Sequence, residues 1–78
     1  MNIQIITPDK TVFAGEIKLA QFPGLDGSFE VLPKHAPMIA ALKKGQIKLR
    51  TPDDKDLFFE ISAGVLEVVK DKLLVLAG

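Results

Sequence analysis

Polar and apolar residues alternate at every step of Gln46-Ile47-Lys48-Leu49-Arg50. The same period runs through the rest of the chain. Ile3 and Ile5 flank Gln4, Phe29 and Val31 flank Glu30, and Leu66 and Val68 flank Glu67. Leu57, Phe59 and Ile61 share one parity, with Phe58, Glu60 and Ser62 on the other. Successive side chains of a strand point to opposite faces, so each run offers one face to a core. A chain built almost wholly of such runs folds as strands or not at all.

Turn chemistry separates the runs: Thr7-Pro8-Asp9-Lys10, Pro23 to Gly27, Pro33 to Pro37, Lys43-Lys44-Gly45, Thr51 to Asp56, Ala63-Gly64 and Lys70-Asp71. Proline fixes φ and removes a donor, while glycine admits positive φ. A spacing of roughly 8–12 residues between turns is typical of an all-β sandwich or barrel. The longest run without a strong break is Thr11 to Phe22. Its inward phase shifts between Leu19 and Phe22, which Gly15 or a bulge near Ala20 would absorb. Pro37 to Lys44, followed by Gly45, reads equally as a two-turn helix, with proline at its start and glycine at its stop. The last strand is Leu73-Leu74-Val75-Leu76.

Composition bounds the function. Seventy-eight residues make one domain, residues 1–78. A chain this short buries only about 60% of its unfolded surface. It has no cysteine, hence no disulfide or thiolate metal site, and one histidine cannot build a His-rich site. Ten Lys+Arg balance ten Asp+Glu, which argues against a nucleic-acid partner. The local basic run Lys43, Lys44, Lys48 and Arg50 reads as a solvated edge. Hydrophobic residues at 47% support a packed core. No apolar run approaches the roughly 18 residues of a membrane span, and Met1-Asn2-Ile3-Gln4 does not open a signal peptide. The expectation is a soluble intracellular domain, monomeric in isolation, that reaches a membrane only through a partner.

Chemistry-bearing patterns are sparse. No Gly-Lys pair exists to build a phosphate loop, and Ser28 and Ser62 are the only serines, with His35 the only candidate base. Asp53, Asp54 and Asp56 lack the glycine and distal glutamate of a calcium loop and read as a solvated turn. Gly24-Leu25-Asp26-Gly27 has the GxxG spacing of a KH loop but joins strands, not helices. No catalytic, cofactor or metal residue is therefore assigned. His35, between Pro33 and Pro37, reads either as a turn histidine bonded to backbone or as a contact residue on a rigid tip. Phe58, Val65, Val69, Leu73 and Ala40 form either a partner surface or a second core layer.

A longer pattern adds to this reading. Phe22-Pro23-Gly24-Leu25-Asp26-Gly27-Ser28-Phe29-Glu30-Val31-Leu32-Pro33-Lys34-His35-Ala36-Pro37-Met38 resembles the epsilon-subunit signature of F-type ATP synthases, roughly L-P-G-x-x-G-x-F-G-x-L-P-x-H-A-P-L. Thr7-Pro8 with Val12 to Glu16 resembles that family's opening hairpin, Leu42-Lys43-Lys44-Gly45 its L-K-P-G turn, Ser62 to Val68 its S-G-G-F-L-E-V segment, and Val75-Leu76-Ala77 its closing V-L-A. Glu30 and Ala63 stand where the family has glycine, Lys44 where it has proline, and Ser28 where some members are acidic.

The resemblance implies an antiparallel β-sandwich of two sheets in which Pro37 to Leu42 is extended. It implies a non-catalytic rotor subunit that couples proton-driven rotation to ATP synthesis, with the gamma subunit and the membrane c-ring as partners. By matching positions, Ser28, Glu30 and His35 face the c-ring tip, and Thr7, His35, Met38 and Ala40 face gamma. It also implies a place on the cytoplasmic face of a bacterial inner membrane, held there by the complex. Most members carry a C-terminal helical hairpin after the sandwich. A start at Met1 and a stop after the last strand fit a complete short chain, which would then couple without regulating and would not bind ATP. A free-standing protein-binding adaptor and a ligand-holding barrel are the other readings.

Overall fold

The period-two runs all become strands. A computed structural model describes residues 1–78, and no helix forms in it. The elements are β1 (Asn2–Ile6), β2 (Thr11–Glu16), β3 (Leu19–Gly24), β4 (Gly27–Val31), β5 (Met38–Leu42), β6 (Gly45–Arg50), β7 (Asp56–Ile61), β8 (Gly64–Val69) and β9 (Lys72–Ala77). The ambiguous segment is β5. Its five residues pair with β8 from Met38↔Val68 to Leu42↔Gly64, so ladder bonds and core packing override its helix propensity.

Hydrogen bonds run continuously through β2-β1-β9-β8-β5-β3-β6-β7, with β4 added to β3. This mixed sheet curls on itself as a half-barrel, which differs from two separate antiparallel sheets in two ways. First, β1 and β9 pair in parallel, from Asn2↔Lys72 to Ile6↔Leu76. A parallel pair needs a long crossover, and here the rest of the chain supplies it. Second, the path stays continuous through one register pair between β5 and β3, Gly24↔Leu42. Lys43 donates its N–H to the Pro23 carbonyl at 2.9 Å, and Leu25 donates to the Ala41 carbonyl at 3.3 Å. This corner joins a five-strand layer (β2-β1-β9-β8-β5) to a four-strand layer (β4-β3-β6-β7).

Between the layers lies a core of 16 buried apolar residues with no buried polar or charged side chain. Ile3, Ile5, Leu66, Val68, Leu73 and Val75 come from the larger layer, and Ala20, Phe22, Val31, Ile47, Leu49 and Ile61 from the smaller. Each large side chain so buried contributes about 1.5–3 kcal/mol. At the open side Phe13 of β2 meets Phe59 of β7, ring centroids 5.6 Å apart. The two ends of the strand path are thus held by rings and not by ladder bonds.

Two local expectations change. The phase shift in Thr11 to Phe22 is neither a Gly15 kink nor a bulge near Ala20. It is the crossing between layers. Ile17 donates to the Met1 carbonyl at 2.9 Å and Lys18 to the Arg50 carbonyl at 2.8 Å, so adjacent residues belong to different layers. The turn expected over Pro23 to Gly27 shrinks to Leu25 and Asp26, because Pro23 and Gly24 stay in β3 and are buried. A Cβ at Gly24 would lie 2.7 Å from the Gly27 carbonyl oxygen and 2.8 Å from the Phe29 ring, so only glycine closes this hairpin.

Candidate functional site

Strand parity puts apolar side chains on the outside of the five-strand layer as well as the inside. Register aligns Ala41, Val65, Leu76 and Ile6 in one row across β5, β8, β9 and β1. The next row carries Ile39, Glu67, Leu74 and Gln4. Ile39 is 73% exposed, Leu76 52% and Val65 45%. Leu25, at 62%, projects from the corner hairpin whose N–H bonds to Ala41. Beside it an open groove is lined by Leu25, Phe29, Met38, Ile39 and Ala41. Single exposed apolar residues are ordinary, but a contiguous patch marks an interaction surface.

The outside of the four-strand layer is different. Gln21, Lys48 and Phe58 align in one row and Leu19, Arg50 and Asp56 in the next. Arg50 Nε donates to Asp56 Oδ1 at 2.8 Å and its Nη2 to Oδ2 at 3.2 Å, a two-pronged pair that Lys48 joins at 3.7 Å. The Arg50 hydrogen bond holds the Asp56 carboxyl below its ordinary value, and the same bond raises Arg50. Asp54 pairs with Lys18 and Asp53 with Lys55. Asp53 and Asp54 thus lie in a solvated turn, while Asp56 opens β7, and all three charges are met by neighbouring cations.

The loop Leu32 to Pro37 closes one end. His35 donates its backbone N–H to the Leu32 carbonyl at 3.2 Å. Pro33 takes the second position of that turn and Lys34, with φ of 67°, the third, the pattern of a type II turn. The His35 ring lies with Nδ1 2.8 Å from the Ala36 carbonyl. A carbonyl only accepts, so Nδ1 carries the hydrogen and Nε2 keeps no protein partner. His35 is exposed, and it bonds to backbone as a turn histidine does.

The residues assigned from resemblance do not form one cluster. Ser28 and Glu30 stand exposed on the edge strand β4, opposite Pro23 and Gln21. Thr7 is half-buried in the β1–β2 turn, where its side-chain oxygen meets Lys10. It follows Ile6, which pairs with Leu76, so it lies at the opposite end of the five-strand layer from His35. Met38 and Ala40 share the parity of buried Leu42 and are half-buried, with Met38 packed on the core. The exposed side chains of β5 are Ile39 and Ala41. These two, with Leu76, Ile6 and Leu25, are surface residues that the sequence reading missed. The signal was the opposite parity of Met38 to Leu42. Of the five apolar residues left open between a partner surface and a second core layer, Phe58, Val65 and Val69 are exposed, Leu73 is core and Ala40 is half-buried on the core side.

The family described as ATP synthase, Delta/Epsilon chain, beta-sandwich domain, matches residues 1–78. The ATP synthase epsilon chain of Chlorobaculum tepidum is 43% identical over 75 residues, covering 96% of this chain and 85% of that one. Among solved structures, a chain of the Euglena gracilis mitochondrial ATP synthase (OSCP/F1/c-ring) superposes with a TM-score of 0.90 at 17% identity, over 96% of this chain and 48% of that chain. A chain of the Tetrahymena thermophila mitochondrial ATP synthase central stalk and c-ring gives 0.81 at 20% identity, over 99% and 62%. These two likenesses are of fold, and this chain spans about half to three-fifths of the length of each.

Proposed function

We propose a rotor role for this chain, which belongs to the ATP synthase delta/epsilon family: a non-catalytic subunit of the central stalk of an F-type ATP synthase. In this role it links the gamma subunit to the c-ring and carries proton-driven rotation toward the catalytic head. The observation that carries the proposal is the match of the family over every residue of the chain, joined to an epsilon chain 43% identical over 75 residues. Relatives of this kind are bacterial, and the complex would hold the chain on the cytoplasmic face of the inner membrane.

Geometry supports a mechanical part. A sandwich of two layers joined at one corner, with an apolar core and rings closing its open side, resists shear. Its gamma side would be the apolar row Ala41-Val65-Leu76-Ile6. Of the assigned residues, Thr7 follows Ile6 at one end of that row and Ala40 lies between Ile39 and Ala41 on β5, while Met38 and His35 lie toward the other end of the layer. Ser28, Glu30 and His35 would meet the c-ring from β4 and its following loop.

The test is assembly. The tagged full chain should recover gamma and the c-ring from detergent-solubilised membranes, and Ser28→Cys should crosslink to the c-ring loop in the complex. Crosslinks to the catalytic head alone would reverse the orientation. Recovery of an unrelated soluble protein in place of gamma would make the chain an adaptor.

A further inference from the structure

The His35 loop is not held by its own turn alone. Lys34 donates its backbone N–H to Asp71 Oδ1 at 3.3 Å, a bond between residues 37 apart in sequence. Asp71 sits at the tip of the β8–β9 hairpin, in the two-residue turn Lys70-Asp71 between the paired Val69 and Lys72. Its backbone carbonyl accepts from Asn2 at 3.0 Å, and its Oδ2 lies 3.6 Å from the Met1 amino group. One residue therefore ties together the hairpin tip, the start of β1 and the loop between β4 and β5.

Both partners pay a conformational cost in these positions. Lys34 has φ of 67° and Asp71 has φ of 64°, the left-handed region that L residues enter at a penalty. Side-chain length decides what the hairpin tip can do from there. Asp71 is carried on a strand pair whose neighbours Val68 and Leu73 are core, so its carboxylate projects from a rigid base. The loop it reaches is anchored at its ends by β4 and β5 but has no ladder bonds of its own between Leu32 and Pro37.

We infer that Asp71 is a positioning residue for the His35 loop, setting the loop's geometry for the partner by accepting the Lys34 N–H. The inference rests on the proposal that this loop is a partner contact. It predicts that loop order, not loop composition, depends on a hairpin remote in sequence.

Three variants of the full chain test it, each read in three ways: affinity for the purified gamma subunit of the same synthase, hydrogen exchange of the Lys34 amide, and the urea midpoint. Asp71→Gly removes the carboxylate but suits the left-handed φ, so the urea midpoint should hold or rise. The Lys34 amide should then exchange about tenfold faster and gamma binding weaken about three- to tenfold, the worth of one ordinary exposed hydrogen bond. Asp71→Asn keeps an acceptor oxygen while losing the charge beside Met1, and should stay within about twofold of the parent in both. His35→Ala should weaken gamma binding without changing Lys34 exchange. Unchanged exchange in Asp71→Gly overturns the inference, as does an Asp71→Asn that behaves like Asp71→Gly. Unchanged gamma binding in His35→Ala overturns the reading of the loop as a contact, while the exchange result still decides what holds it.

Discussion

Gly24→Ala perturbs the corner where the two layers join. The added methyl would meet the Gly27 carbonyl oxygen at 2.7 Å and Phe29 Cε1 and Cδ1 at 2.8 and 2.9 Å. The oxygen is backbone and cannot rotate away, and the Phe29 ring is packed against Phe22 at 5.7 Å. Relief therefore requires opening the β3–β4 hairpin or shifting the Gly24↔Leu42 pair. Overpacking of this kind costs about 1–3 kcal/mol, and a domain of this length has only about 4–12 kcal/mol in all. With a urea m-value near 1 kcal/mol/M for so small a chain, the midpoint should fall by about 1–3 M. Gly15→Ala is the control. Its Cβ meets only the far end of the Phe13 ring, at 3.3 Å, so its midpoint should move by less than about 0.5 M. Circular-dichroism melts in urea measure both. If Gly24→Ala costs no more than Gly15→Ala, the corner is not a tight point of the fold.

Further outcomes follow from other sites. Lys34→Gly should raise stability by about 0.5–1 kcal/mol, because glycine takes φ of 67° without the penalty a side chain incurs, and thermal melts read it. Asp56→Asn should lower stability at neutral pH and converge on the parent in acid. A depressed folded pKa gives stability that is present above the unfolded pKa and lost as pH falls through the folded one; urea midpoints against pH follow it. Ile39→Ser on the 73% exposed position should leave the urea midpoint within about 0.5 M, while weakening gamma binding measured by calorimetry.

Much of the fold was legible because alternation and turn chemistry are local. The strands from Ile3 to Leu76 and the turn at Thr51 to Asp56 needed no knowledge of distant partners. What the residues could not show is set by pairing across the chain. Pro37 to Leu42 has helix signals, and its strand state is decided by β8, more than twenty residues on. The parallel β1–β9 pair joins the two ends of the sequence and leaves no local mark. The layer crossing at Ile17 and Lys18 carries no glycine or proline, so its phase shift resembled a bulge. The surface was harder still. Parity showed that Ile39 and Ala41 oppose Met38 and Ala40, but which parity faces the core depends on register with Val68 and Leu66. The Lys34 to Asp71 bond spans two turns that the sequence marks only as turns.

The two outer faces differ in what they offer a partner. On the four-strand layer Arg50, Lys48 and Asp56 already satisfy one another, and Gln46 reaches Glu60 at 3.3 Å. Covering those groups would strip water from charges and return no new bond, which costs free energy unless the partner supplies matching groups. On the five-strand layer the row Ala41-Val65-Leu76-Ile6 has no polar side chain to desolvate, and removing it from water contributes about 25 cal/mol for each Å² covered. Glu67 and Gln4 border that row and give it part of the polar rim usual around an apolar contact. A net charge of zero gives a partner little long-range steering. Association through this face should therefore be driven by apolar burial and depend only weakly on salt, whereas docking through the Arg50 and Asp56 face, which needs a partner with matching charges, would weaken steeply as salt rises. Gamma affinity measured at low and high ionic strength separates the two faces, and a steep salt dependence would move the partner to the four-strand layer.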